Sequence, residues 1–178
     1  MITREEFVER ALVLRCREGD EAAFERIVEM HHAALVYYVR GLLGKKDGAD
    51  DVVQEVWLAA YGTVRRLRDA KLFRPWLYRI ARNKSFDLLR IRPIRSIDEV
   101  TEPPVEEQEP EFDAQDAAKI HAALAHLSLE HREVLTLRFL KDMSYEQIAD
   151  VTEQDLGTVK SRIYYAKHSL RREMEKVS

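Results

Sequence analysis

The chain has 178 residues and a formal net charge of −3 at pH 7, with 46% hydrophobic, 34% charged and 8% aromatic residues. That length suits one ordinary domain or two small ones. No apolar run approaches the roughly 18 residues of a membrane span, and the polar, acidic start from Met1 to Glu9 does not read as a secretory signal. The sole cysteine, Cys16, excludes an internal disulfide and a cysteine-based zinc site. A reducing cytoplasm is the expected location, and Cys16, beside Leu12 and Val13, takes a packing position.

The net charge conceals a segregated distribution. Residues 1–95 carry 19 basic and 14 acidic side chains, residues 96–116 none and nine, and residues 117–178 ten and nine. Residues 64–95 alone hold eleven basic groups and two acidic ones. For electrostatic binding such segregation matters more than the total.

The spacing predicts an opening helix from Arg4 to Arg17, ended by Gly19-Asp20, with Asp20 placed to cap the next. The second helix runs to Leu43, and Phe24, Ile27, Val28, His31, Leu35 and Val39 form its apolar stripe. After a turn at Gly44 to Gly48, a third helix covers Ala49 to Tyr61. Val52, Val53, Val56, Trp57 and Ala60 point inward, and Asp50, Asp51 and Glu55 supply an acidic outer side with Gln54 beside them. Asp51 and Glu55 are four apart and share a face. No histidine stands at ligand spacing, so a docking face for a basic partner, or a plain solvated face, fits better than a metal or acid–base site.

Arg65 to Arg74 is a basic loop, and Pro75 suits the first turn of a fourth helix reaching Arg90. Within Phe73 to Lys84 and on to Leu88, Trp76, Leu77, Ile80, Ala81 and Leu88 stand at core spacing. Arg79, Arg82 or Asn83, Phe86 and Arg90 fall on another face. Aromatics interleaved with Arg and Asn suit single-stranded nucleic acid, where bases stack and phosphates are neutralised.

From Pro93 to Asp116, Pro103, Pro104 and Pro110 interrupt an acidic run, which reads as a flexible tether. Helical patterns resume at about 114–126, 129–140, 144–150 and 156–175. Ser144 and Gln147 have the spacing of a capping box. After a break at Val151 to Asp155, Leu156, Val159, Ile163, Ala166 and Leu170 make one apolar face, opposite Lys160, Arg162, Lys167, Arg171 and Arg172. This is the pattern of a helix-turn-helix whose second helix enters a major groove. Arg138, upstream of the turn, is placed to reach a phosphate. His121, His126 and His131 lack zinc spacing, and no phosphate-binding glycine loop or nucleophile–base signature appears. The expectation is an all-α, non-catalytic protein without metal or cofactor. Two small helical domains, residues 1–95 and 114–178, flank an acidic linker at 96–113.

In that order of parts the chain resembles the extracytoplasmic-function sigma factors of bacterial RNA polymerase, in the sigma-70 superfamily, over nearly its whole length. Gly19-Asp20-Glu21-Ala22-Ala23-Phe24 is similar to the family's opening. Ala49 to Glu55 is similar to its polymerase-docking helix, and Pro75 to Asn83 to its promoter-melting helix. Ser144 to Ala149 and Gly157 to Arg162 are similar to its upstream-promoter reader. The resemblance implies a specificity subunit that binds core RNA polymerase, carries it to promoter DNA and captures the melted strand. Asp51, Gln54 and Glu55 would grip a coiled coil of the largest polymerase subunit. Asn83 and the loop from Leu67 to Phe73, with Arg68 and Lys71, would receive a base flipped from the downstream element. Arg74, Arg79, Arg82 and Lys84 would lie near the DNA. Arg138, Thr158, Lys160, Ser161, Arg162, Tyr164 and Tyr165 would serve the upstream duplex element. An anti-sigma factor, often membrane-bound, is the further implied partner, with no insertion of this chain into the membrane. The chain departs from the family pattern at Glu153, where the turn usually has Gly. It departs again at Tyr165, where Arg is common, and at Leu67, where an aromatic is frequent. A stand-alone helix-turn-helix regulator of operator DNA is the alternative, and it leaves the tether and the basic aromatic helix without a role.

Overall fold

The computed structural model describes residues 2–44, 46–90 and 117–177, and among these there is no strand. The linker expected at 96–113 lies outside the described residues, as does the expected start of the second domain at 114. The chain divides into two compact helical units, residues 1–93 and 94–178.

The first unit holds α1 (Arg4–Arg17), α2 (Glu21–Leu43), α3 (Ala49–Thr63) and α4 (Phe73–Leu89). Short 3-10 turns at Val64–Arg66 and Ala70–Leu72 flank the basic loop between α3 and α4. Thr3 and Glu6 close a capping box on α1. Asp20 accepts from the Ala23 amide at 3.0 Å and so caps α2. Both caps satisfy amides that a helix start leaves without partners. The long α2 packs against each of the other three helices. Its Ile27, Leu35, Tyr38 and Val39 are buried, with Val53 and Val56 of α3 and Phe73, Leu77 and Tyr78 of α4. Each such side chain contributes about 1.5–3 kcal/mol when fully buried. Tyr38 and Tyr78 meet edge to face at 5.0 Å between ring centroids, the arrangement their quadrupoles favour.

Cys16 is buried, and burial, with the Asp20 carboxylate nearby, pushes its thiol up to about 11. Gly48 opens α3 at φ 110°, a region that glycine alone enters without cost. A Cβ there would stand 3.2 Å from Cδ2 of Leu88. This glycine therefore lets the start of α3 lie close to the end of α4.

The second unit holds α5 (Ala117–Leu124), α6 (Leu129–Leu135), α7 (Tyr145–Thr152) and α8 (Leu156–Val177). The single helix expected over 129–140 is α-helical only to Leu135, and a π-helical turn covers Thr136–Leu140. The 22-residue α8 is the spine of this unit and packs against α5, α6 and α7. Its Val159, Ile163, Ala166 and Leu170 are buried with Val134, Leu137 and Ile148, as their helical period requires.

Candidate functional site

On α3 the inward set is Val52, Val53, Val56, Trp57 and Ala60, as the spacing predicts. Asp51, Gln54 and Glu55 stand exposed on the other side. Next along that side comes Leu58, 68% exposed, an apolar member of the acidic face that charge-based reading missed. Its signal was present: a leucine out of phase with the buried valines and one turn from Gln54 and Glu55. Lys84 of α4 lies 3.3 Å from Glu55, so the acidic helix and the basic helix meet at an exposed ion pair. Such pairs are worth about 1 kcal/mol or less, and either partner is readily drawn to another charge.

Arg68 between the 3-10 turns and Lys71 in the second turn face solvent, with Leu72 45% exposed. Asp69 accepts from the Lys71 amide at 2.9 Å and holds the second turn. Leu67 is only 8% exposed. It packs into the core of the unit, as an aliphatic side chain does. On α4, Arg79 and Asn83 are exposed one turn apart, and Lys84 is half-buried.

Arg82 and Phe86 do not lie on the outer face expected for them, because both are buried. The Arg82 guanidinium lies 4.3 Å over the Phe86 ring. A long aliphatic stem and a cation–π contact let an arginine occupy a helix position that periodicity assigns to polar surface. Tyr78 is likewise buried, whereas Trp76, Ile80 and Leu88 are only half-buried. The inward face of α4 is thus rotated from the one expected. Arg74 points back into the domain, and its Nε donates to Glu9 at 2.7 Å.

In the second unit the Ser144–Gln147 capping box is present. Glu153 ends α7 at φ 55°, ψ 41°, the left-handed position where the turn would ordinarily have glycine. A non-glycine residue there costs about 1–2 kcal/mol. Glu153→Gly removes that strain but makes the unfolded chain freer. The expected net gain is about 0.5–1 kcal/mol in the denaturation midpoint of this unit, with α8 unmoved. Asp155 caps α8, accepting from the Thr158 amide at 2.9 Å and from its hydroxyl at 2.8 Å. Those bonds hold the Asp155 carboxyl below its ordinary range, chiefly through the Thr158 amide.

The expected basic face of α8 is narrower than its sequence. Lys160 and Tyr165 are exposed, as are Arg171 and Arg172 further along, and Ser161 is half-buried. Thr158, Arg162, Tyr164 and Lys167 are buried. Arg162 donates to Gln154 Oε1 at 2.7 Å and braces the turn. Tyr164 stacks edge to face on Tyr165, centroids 5.2 Å apart. Lys167 lies 5.2 Å over the Phe139 ring. Arg138 donates to the Met143 carbonyl at 3.0 Å and lies over Tyr145, so it fastens the π-helical turn to the start of α7. Among the described residues no three His, Cys, Asp or Glu side chains could hold a metal ion, and no helix is long and apolar enough to cross a membrane.

Residues 27–92 match the model of sigma-70 region 2, and residues 117–170 match that of sigma-70 region 4. The chain is 36% identical over 157 residues to the ECF RNA polymerase sigma factor SigL of Mycobacterium tuberculosis, covering 85% of this chain and 89% of that one. The chain belongs to the extracytoplasmic-function group of the sigma-70 family. As an alternative sigma factor it is a transcription initiation factor that directs RNA polymerase to promoters. Two solved structures share its fold. CnrH, in complex with the cytosolic domain of CnrY, aligns with TM-score 0.69 and 27% identity over 96% of this chain and 99% of that one. The sigma factor RpoE, in complex with the anti-sigma factor NepR from Bartonella quintana, aligns with TM-score 0.63 and 26% identity over 85% and 96%. In the sigma factor described here, the region 2 match covers α3, the basic loop and α4, and the region 4 match covers the helix-turn-helix.

Proposed function

We propose that the exposed side of α3 docks on core RNA polymerase and that the loop after it, with the outer face of α4, captures the melted downstream promoter strand. The observation that carries this reading is the adjacency of two opposite surfaces on one small domain. Asp51, Gln54, Glu55 and Leu58 face solvent on α3, Arg68, Lys71, Arg79 and Asn83 on the loop and α4, and the Glu55–Lys84 pair joins the two. Acidic groups around one apolar residue suit a basic helical partner. Exposed Arg and Lys around an Asn suit phosphates and one unstacked base.

In the second unit Lys160 and Tyr165 of α8 enter the major groove of the upstream element, while the Ser161 hydroxyl is buried. Arg162, Tyr164, Thr158 and Arg138 hold the motif in shape. Residues 1–95 and 114–178 act as the two DNA-reading domains, with 96–113 as tether. The protein supplies no catalytic group and works in the cytoplasm. An anti-sigma factor is its negative regulator, as the RpoE–NepR complex illustrates for that pair.

Pull-down of core RNA polymerase followed by promoter-directed transcription tests the reading. Polymerase capture that survives charge reversal at Asp51 and Glu55 would overturn the α3 assignment. Within the downstream site, Arg79→Ala in the polymerase complex should flatten the slope of log affinity against log salt by about 0.7–0.9. Arg82→Ala should leave that slope unchanged and lower stability instead, because its guanidinium packs on Phe86.

A further inference from the structure

Behind the base-capturing loop lies a polar cluster that the docking and DNA-facing surfaces do not use. Glu9 of α1 is 5% exposed and His31 of α2 is 7% exposed. One carboxylate oxygen of Glu9 accepts from Arg74 Nε at 2.7 Å and lies 2.9 Å from His31 Nε2. Phe73, fully buried, sets its ring 5.6 Å from the His31 ring. The junction where the loop becomes α4 is therefore held by three helices at one oxygen atom.

The same α1 packs against both 3-10 turns that flank the loop. Buried ion clusters are poor devices for stability alone, since apolar residues of the same volume often do as well. Their distinctive property is direction. A carboxylate shared by a guanidinium and an imidazole sets the rotation of the first α4 turn in a way that apolar packing does not. Reading a base requires the loop and the Arg79–Asn83 face to stand within about 0.5 Å of the productive geometry.

We propose that Glu9 is a positioning residue: acting through Arg74, it sets the place of the Leu67–Phe73 loop and thereby the base selectivity of the captured strand. The inference rests on the base-capturing reading of that loop.

The test uses the polymerase complex of the full chain and a pool of single-stranded DNA randomised across the downstream element, read by sequencing the bound fraction. Glu9→Gln keeps the side chain's shape and an acceptor oxygen but loses its charge. Expected is at least a fivefold loss of base enrichment at the captured position, with polymerase affinity and upstream duplex preference unchanged. A variant that binds less total strand but keeps the wild-type base enrichment shows a merely structural role and overturns the inference. Should Glu9→Gln fail to fold, Arg74→Lys, which keeps the charge but not the guanidinium fork, is expected to lose enrichment likewise, and full enrichment there overturns it. A wild-type complex that enriches no base would overturn the loop reading and this inference together. Equal enrichment by wild type and variant removes only the inference.

Discussion

Glu9→Ala is expected to destabilise the N-terminal unit by about 3 kcal/mol, the low end of the cost of breaking a buried pair, because the Arg74 guanidinium left behind is half-buried. Burial by itself raises the Glu9 carboxyl, but the adjacent His31 and Arg74 outweigh it, and the net position is below the ordinary 4.5. The sign of the pH dependence follows. A carboxyl depressed in the folded state contributes stability that is fully present above its unfolded value, and that stability is lost as pH falls through the folded value. The gap between wild type and variant in urea midpoints should therefore be full at pH 7 and narrow as pH falls below about 4.5. Other carboxyls lie low as well, Glu6 with its Thr3 hydrogen bonds among them. They are common to both proteins and cancel in the difference. A gap independent of pH would mean that Glu9 acts by packing and not by charge.

Glu55→Lys is expected to weaken binding to core polymerase at least tenfold while leaving the fold intact. Glu55 is exposed, and its loss from the ion pair with Lys84 costs this protein little. At a docking surface the same reversal sets like charges against each other, where juxtaposition costs several kcal/mol. Titration of labelled polymerase with wild type and variant reads the change, and circular dichroism reports on folding. Undiminished affinity would remove this part of α3 from the interface. Raised salt should shrink the difference, because the surface is solvated.

Much of this arrangement was legible in sequence where one periodicity governed. The inward face of α3 follows from five apolar residues at helical steps, and the Ser144–Gln147 box from two residues at fixed spacing. Long cationic side chains were not legible. Arg82, Arg162 and Lys167 read as surface charge, yet each is buried, over Phe86, against Gln154 and over Phe139 respectively. Their stems fill apolar space while their heads find partners that no local pattern announces. Arg74 shows the same limit over a longer reach, since its acceptor Glu9 is 65 residues away in sequence. Glu153 in the left-handed region shows that a turn can be kept without glycine when its flanks are well capped.

Cys16 carries a practical consequence. Its side chain is 4% exposed in the first unit, and its thiol, pushed up to about 11, has almost no thiolate at neutral pH. A thiol-reactive dye is therefore expected to label the chain slowly while that unit is closed and faster as it opens. As the chain's sole cysteine, it turns labelling rate into a clock for opening of the N-terminal unit alone. The same native chain, free or seated on polymerase, can be timed without engineering a probe into it.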